Sequence, residues 1–295
     1  FSGFLQDGIT LLDDRLTVTV GAKLEHNGYS GWEVQPSARV LWKVARQHTL
    51  WADISRAVRT PSRNEHGLEL TNLVQPVTPI FARFIGDEGF LPETLVSQGL
   101  GYRVQVTPQL FLDLAGFHNR YYDLKSVEPA TPFVETTPIP PHVVVPAFLR
   151  NEMEGRTWGA ESAVDWQATP RWRFKAAYSY LRLNLSRKAG SLDLGTERSI
   201  EGSSPRHLFS LGSLVNLKHG LELDMTLRYV SELVSQNVPD YTTADVRLAW
   251  RPRPPWEISV VGQNLLEGHH LEFGGGAAGP TEVRRGVYFR LTWRQ

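Results

Sequence analysis

Apolar and polar side chains alternate one by one along most of this chain, and the pattern is plainest at its end. In the last segment Val287, Phe289, Leu291 and Trp293 fall on one face of an extended strand, and Tyr288, Arg290, Thr292 and Arg294 on the other. The same period of two marks Leu16 to His26, Val34 to Ala45, Leu50 to Ser55, Thr94 to Val106, Leu110 to Leu124, Gly155 to Gln167, Trp172 to Leu185, Arg206 to Leu217 and Leu221 to Ser231. Two further segments lie in Tyr241 to Leu266, and the opening residues read as the middle of a strand. Roughly 13 antiparallel strands are expected. Tight connections at Asp13-Asp14, Arg46-Gln47-His48, Thr107-Pro108, Thr169-Pro170, Lys218-His219-Gly220 and Arg251 to Pro255 alternate with longer, more variable ones. Asn27 to Trp32 is a short polar loop; the long ones lie near 56–92, 126–150, 186–205 and 266–283.

A soluble sandwich would bury the apolar faces against a second sheet, whereas a membrane barrel turns them to lipid and keeps the charged faces on its lumen. Strict alternation of short turns with long loops favours the barrel, whose turns are periplasmic and whose loops are extracellular. Tryptophan gathers beside the tight turns and at the chain end, at Trp42, Trp51, Trp166, Trp172, Trp250, Trp256 and Trp293. An indole is most stable at a membrane interface, ring dry and N–H wet, so these residues read as an aromatic girdle; cross-strand packing in a soluble sheet is the competing reading. Arg and Lys in mid-strand on the lipid face would each cost about 2–4 kcal/mol. Arg39, Lys43, Arg173, Lys175, Arg228, Arg247 and Arg290, with Glu222, Asp224 and Asp245, are therefore expected to face the lumen. An odd number of strands beginning with a downward one implies that upstream strands are missing, because a single-chain barrel with both termini in the periplasm has an even count.

Composition agrees without deciding. The hydrophobic fraction is 41% and mean hydropathy is -0.27, and no run of about 18 apolar residues marks a transmembrane helix. Spanning strands need only about 9–11 residues, half of them polar. With 31 basic and 31 acidic residues in 295, there is no nucleic-acid footprint. The absence of cysteine removes disulfides and thiolate metal sites. Phe1 to Asp7 lacks the charged and apolar regions of a leader, so the chain is expected to be a piece of a longer precursor.

Several stretches, in order, resemble the TonB-dependent outer-membrane receptors. Asp53-Ile-Ser-Arg-Ala-Val-Arg-Thr-Pro-Ser-Arg63 is similar to the family's "SRA.R.PS" signature, and Leu91-Pro-Glu-Thr followed by Gly99-Leu-Gly-Tyr-Arg103 to its "L.PE…ELGYR" strand. Tyr241 to Arg247, Gly262-Gln-Asn-Leu-Leu266 and the aromatic closing strand resemble its C-terminal hallmarks. The resemblance implies an all-β antiparallel transmembrane barrel of roughly 22 strands with a plugged lumen, of which this chain would be the C-terminal part. It implies an energy-coupled receptor for a scarce chelate, such as a ferric siderophore, haem or cobalamin, in the bacterial outer membrane. The implied partners are the TonB complex through an N-terminal plug absent from this chain, outer-membrane lipid and lipopolysaccharide, and the barrel-assembly machinery through the last strand. Gly99 stands where the family carries Glu, and the chain ends Trp293-Arg-Gln295 rather than on an aromatic residue.

The residues bearing on ligands are few. Arg56, Arg59 and Arg63 lie where a strand leaves the membrane, and guanidinium groups suit anionic chelates or lipopolysaccharide phosphates; pairing with barrel or plug carboxylates is the bland reading. Tyr121 and Tyr122 are candidates for stacking on a ligand at the outer rim, or for interfacial aromatics. The loop Gly274 to Pro280 adds ligand surface. His269-His270 with Glu267 and Glu272 does not make a metal site, because adjacent side chains on an extended chain point apart. No metalloprotease, esterase or phosphate-loop motif occurs, so neither catalytic residues nor a cofactor are expected. A passive porin or adhesin barrel and an outer-membrane hydrolase are the rival readings.

Overall fold

The computed structural model describes all residues except 78, 254, 275–278 and 294–295. The loop glycines 275–276 and the Arg-Gln tail singled out in the sequence lie outside the described residues. The strands in chain order are β1 (Ser2–Leu11), β2 (Leu16–Asn27), β3 (Gly31–Ala45), β4 (His48–Arg59), β5 (Glu69–Gln75), β6 (Ile80–Ile85), β7 (Glu93–Thr107), β8 (Leu110–Pro129) and β9 (Phe133–Glu135). They continue as β10 (His142–Thr169), β11 (Trp172–Arg187), β12 (His207–Asn216), β13 (Leu221–Val230), β14 (Tyr241–Arg253), β15 (Trp256–Gln263), β16 (His269–Leu271), β17 (Glu282–Arg284) and β18 (Gly286–Trp293). Two short helices, α1 (Arg63–Gly67) and α2 (Thr196–Glu201), lie in the long loops. No described helix is long and apolar enough to cross a membrane.

Thirteen strands form one antiparallel meander in the order β1-β2-β3-β4-β7-β8-β10-β11-β12-β13-β14-β15-β18. Along this path β1 pairs only with β2 and β18 only with β15, so among the described residues the sheet is an open wall. Register keeps like with like. The apolar residues Leu221, Leu223, Met225 and Leu227 of β13 stand opposite Trp250, Leu248, Val246 and Ala244 of β14, while Glu222, Asp224 and Thr226 stand opposite Ala249, Arg247 and Asp245. Because the side-chain period is two, a slip of one residue would exchange the faces, and this match holds the register.

The apolar face is open. Trp42, Trp166, Trp172, Trp250, Trp256 and Trp293 are each between 42% and 56% exposed and all sit at the tight-turn end. Trp51 does not join them: it stands opposite Gly101 on the polar face, where a Cβ on Gly101 would come within 2.3 Å of its indole ring. The same packing accounts for Gly99, whose Cβ would approach Asp53 Oδ1 to 2.6 Å and the Trp51 ring to 3.2 Å. Two glycines thus make the bed on which Trp51 lies, and an acidic residue at position 99 would have to displace the Asp53 carboxylate and shift the Trp51 ring.

One loop-end connection is as short as expected, and another differs from expectation. The turn joining β2 to β3 is as tight as those at the opposite end, and Gly31, at φ 71°, supplies its left-handed residue. Strands β8 and β10 run past 124 and begin before 155, reaching into the segment 126–150 that the sequence marked as loop. Beyond the alternating band both faces of a strand meet water or neighbouring loops, so the alternation fades while backbone pairing continues.

Candidate functional site

The loop end of the wall is where the chain builds a compact structure. Most of the buried apolar side chains, Phe90, Val144, Leu149, Met153, Leu185, Leu233 and Val238, lie there, in the loops and the loop-side ends of β10 and β11. Strand β6 pairs with its hairpin partner β5 along one edge and in parallel with the first residues of β10 along the other, and β9 pairs with the far edge of β10 at His142 to Val144. Arg83 of β6 reaches across β10 to grip Glu135 of β9 through two bonds of 2.7 Å. Buried His142 approaches the same carboxylate at 3.3 Å and packs edge-on to Phe81. The bidentate grip of Arg83 holds the Glu135 carboxyl below its ordinary range.

A second fastening joins the two signature stretches. Arg59, the last residue of β4, donates to Glu93 at the start of β7 at 2.7 Å and to Glu65 of α1 at 3.0 and 2.8 Å. Ser62 caps α1 reciprocally with Glu65: the Ser62 N–H donates to the carboxylate at 2.9 Å and the Glu65 N–H to Ser62 Oγ at 3.4 Å. Burial would raise the Glu65 carboxyl, but the hydrogen bonds from Arg59 and Ser62 outweigh it and hold the group at about 2. Lys125 adds a backbone donor to Glu93 at 2.8 Å.

Two more buried polar side chains tie the loops to the strands. Asn151 accepts from the Leu91 N–H at 2.7 Å and donates to the carbonyls of Leu91 at 3.1 Å and Asp123 at 2.6 Å. Asp193 accepts from the N–H groups of Val127, Gly195 and Thr196 at 2.7, 2.9 and 2.9 Å. Burial opposes the charge of Asp193, and these bonds still keep its carboxyl lowered. Of these fasteners only the Ser62-x-x-Glu65 box has a local sequence signal; Glu93, Asn151, Asp193 and the Arg83–Glu135–His142 group have partners far along the chain.

The residues singled out in the sequence divide accordingly. Arg59 is engaged in the clasp, and Arg56 donates to the Val34 carbonyl at 2.5 Å and to Glu33 at 3.3 Å. Arg63 is exposed at the start of α1 and makes no ion pair among the described residues. Tyr121 and Tyr122 are neighbours on β8 that take opposite faces by parity, and both border one cleft with Arg120 and Arg156. His269 and His270 take separate carboxylates, Glu282 at 3.7 Å and Glu272 at 3.4 Å, and His270 stacks on Tyr241.

On the polar face near the tight turns, the charged residues form a ladder. Arg247 contacts Asp224 at 2.8 Å, Glu257 at 2.6 Å and Glu222 at 3.5 Å, and Arg251 links Glu222 and Glu257 at 2.5 and 2.9 Å. Arg228 pairs with Asp245 at 2.5 Å, and Asp245 also accepts the Asn264 N–H at 2.9 Å. Asn264 has φ 53°, which turns the chain out of β15. The two C-terminal motif stretches are therefore one hydrogen-bonded corner. Arg39, Lys43 and Arg290 lie on the same face by register and make no ion pair among the described residues.

Comparison with known proteins follows this geometry. The family described as "TonB dependent receptor-like, beta-barrel" matches residues 1–265. The iron-regulated outer membrane virulence protein of Vibrio cholerae is 24% identical over 187 residues, which are 61% of this chain and 27% of that protein. The siderophore receptor PirA of Acinetobacter baumannii superposes with a TM-score of 0.76 at 15% identity, over 99% of this chain and 45% of that one. The ferric enterobactin receptor PfeA of Pseudomonas aeruginosa gives 0.76 at 17% identity, over 99% and 44%. The chain thus spans less than half the length of these relatives.

Proposed function

Because the chain belongs to the TonB-dependent receptors of the bacterial outer membrane, as part of their β-barrel, we propose that it forms the wall and rim through which such a receptor takes up a ferric siderophore. One observation carries this reading: the long loops are fastened by part-buried hydrogen bonds, most of them charge-assisted, into a preformed rim over one end of the wall. A binding rim held in shape before its ligand arrives pays less ordering entropy on binding. The relatives named for siderophores and for iron regulation agree with an iron chelate over haem or cobalamin.

In this reading the polar face lines the lumen. Arg39, Lys43 and Arg290, charged and unpaired within the described wall, suit carboxylates on a plug seated there. The six exposed tryptophans mark the periplasmic interface, β18 engages the barrel-assembly machinery, and the energy comes from TonB acting on the plug. The wall itself performs no bond chemistry and needs no cofactor. The test is uptake of radiolabelled iron, supplied as catecholate and other siderophores, by cells with and without the full-length receptor and with TonB intact or deleted. Uptake of at least one chelate that requires both is expected; TonB-independent uptake, or none for any iron chelate, would reject the reading.

A further inference from the structure

His142, the first residue of β10, sits where three segments of the rim converge. Its side chain is only 7% exposed, so its two ring nitrogens depend on protein partners. Nδ1 lies 3.1 Å from the Pro140 carbonyl oxygen, and Nε2 lies 3.3 Å from Oε2 of Glu135 on β9. Both neighbours can only accept. A carbonyl oxygen has no proton to give, and the two 2.7 Å bonds from Arg83 of β6 hold the Glu135 carboxyl ionised. A neutral imidazole carries one N–H, so it serves one of these oxygens and turns a bare lone pair on the other. The imidazolium carries two and serves both.

Charge points the same way. Among the described residues the charged groups of this cluster are Glu135 beside the ring, Arg83 on the same carboxylate, and Glu69 of β5, 3.8 Å from Arg83. Phe81, packed edge-on to the ring at 4.7 Å, is uncharged. With a neutral His142 the cluster carries one excess negative charge, and with a protonated one it balances. Burial disfavours a cation in general, but this ring has an ionised carboxylate on one side and a carbonyl on the other, the partners that a buried cation needs.

Phe81 belongs to β6, Glu135 to β9 and Pro140 to the connection between β9 and β10, so one imidazole touches each segment that docks on the upper part of β10. The fasteners elsewhere in the rim are built differently. Arg59 and Glu65 both keep their charges across neutral pH, and Asp193 is held by backbone N–H groups.

We propose that His142 is a proton-operated latch of the rim: the imidazolium fastens β6 and β9 to β10, and loss of its proton loosens the β5–β6 hairpin. Because docking favours the protonated ring, its contribution is complete at acid pH and is lost as pH rises through the range of about 5 to 8 in which imidazoles change charge. Glu135, lowered by Arg83, stays ionised throughout that range. The latch is a property of the rim and rests on no particular transported chelate.

The experiment is amide hydrogen exchange, read by mass spectrometry, on the full-length receptor in lipid nanodiscs at about pH 5.5, about 6.5 and about 8, with rates corrected for the intrinsic pH dependence of exchange. Protection of residues 80–85 and 133–135 should fall about tenfold from the lowest to the highest pH, while the loop at 193–196, held by Asp193, keeps its protection. In His142→Gln the protection of both segments should be the same at all three pH values. His269→Gln, a change to an exposed histidine in another loop, should leave the wild-type dependence intact. Wild-type protection that is flat or that rises with pH overturns the proposal, and that measurement needs no variant to fold. So does a pH dependence that survives in His142→Gln, which would put the titrating group elsewhere.

Discussion

At the residue scale, the chain spends its charged groups as fasteners. Glu65 is the clearest case, being nearly buried in the fold yet held ionised by Arg59 and Ser62. Its carboxyl titrates at about 2 in the fold against an ordinary 4.5, so the stability it contributes is complete above about pH 4.5 and is lost as pH falls through about 2. Hydrogen exchange of the full-length receptor should show amide protection of α1 and the β5–β6 hairpin declining across that window before the barrel strands open. In Glu65→Gln the protection should be low already at neutral pH and flat across the window; unchanged protection in the variant would remove Glu65 from the clasp.

At the element scale, β10 is the organising strand. It is 28 residues long and pairs with β8 and β11 within the wall, and with β6 and β9 above it. Its upper part buries Val144, Leu149 and Met153, and the Arg83–Glu135 bridge that crosses it ties β6 to β9 over that stretch. Arg83→Ala should release the β5–β6 hairpin, seen as new protease cleavage within 69–85, and should weaken chelate binding by about tenfold, with the barrel still resistant to detergent denaturation. A hairpin that stays protected would show that backbone pairing with β10 suffices.

At the scale of the whole molecule, the wall separates two solvents, and neighbouring residues of the same type should respond oppositely to charge. Ala176 and Ala177 are adjacent on β11, the first on the apolar face four residues from each of Trp172 and Tyr180, the second on the polar face. Ala176→Arg should cost about 2–4 kcal/mol and sharply reduce assembled, heat-modifiable receptor, whereas Ala177→Arg should be tolerated. Equal yields from the two variants would contradict the assignment of the apolar face to lipid.

Much of this architecture was legible in one dimension because strand alternation is local. Any residue declares its face by the parity of its position, and that sufficed for the thirteen-strand wall, the turn-end tryptophans and the charged face. Trp51 resembled its neighbours in composition and turn proximity, but its parity places it on the polar face, with two glycines beneath it. The rim was not legible: Arg59 meets Glu93, Arg83 meets Glu135 and Asn151 meets Leu91 across separations of 34, 52 and 60 residues, and nothing in the local pattern chooses those partners. The sequence by itself determined which side of the sheet faces lipid, because desolvation acts on each side chain separately. Only the tertiary structure decided how the loops lock together and where Arg120 meets Arg156, because those contacts arise from register between strands distant in the chain.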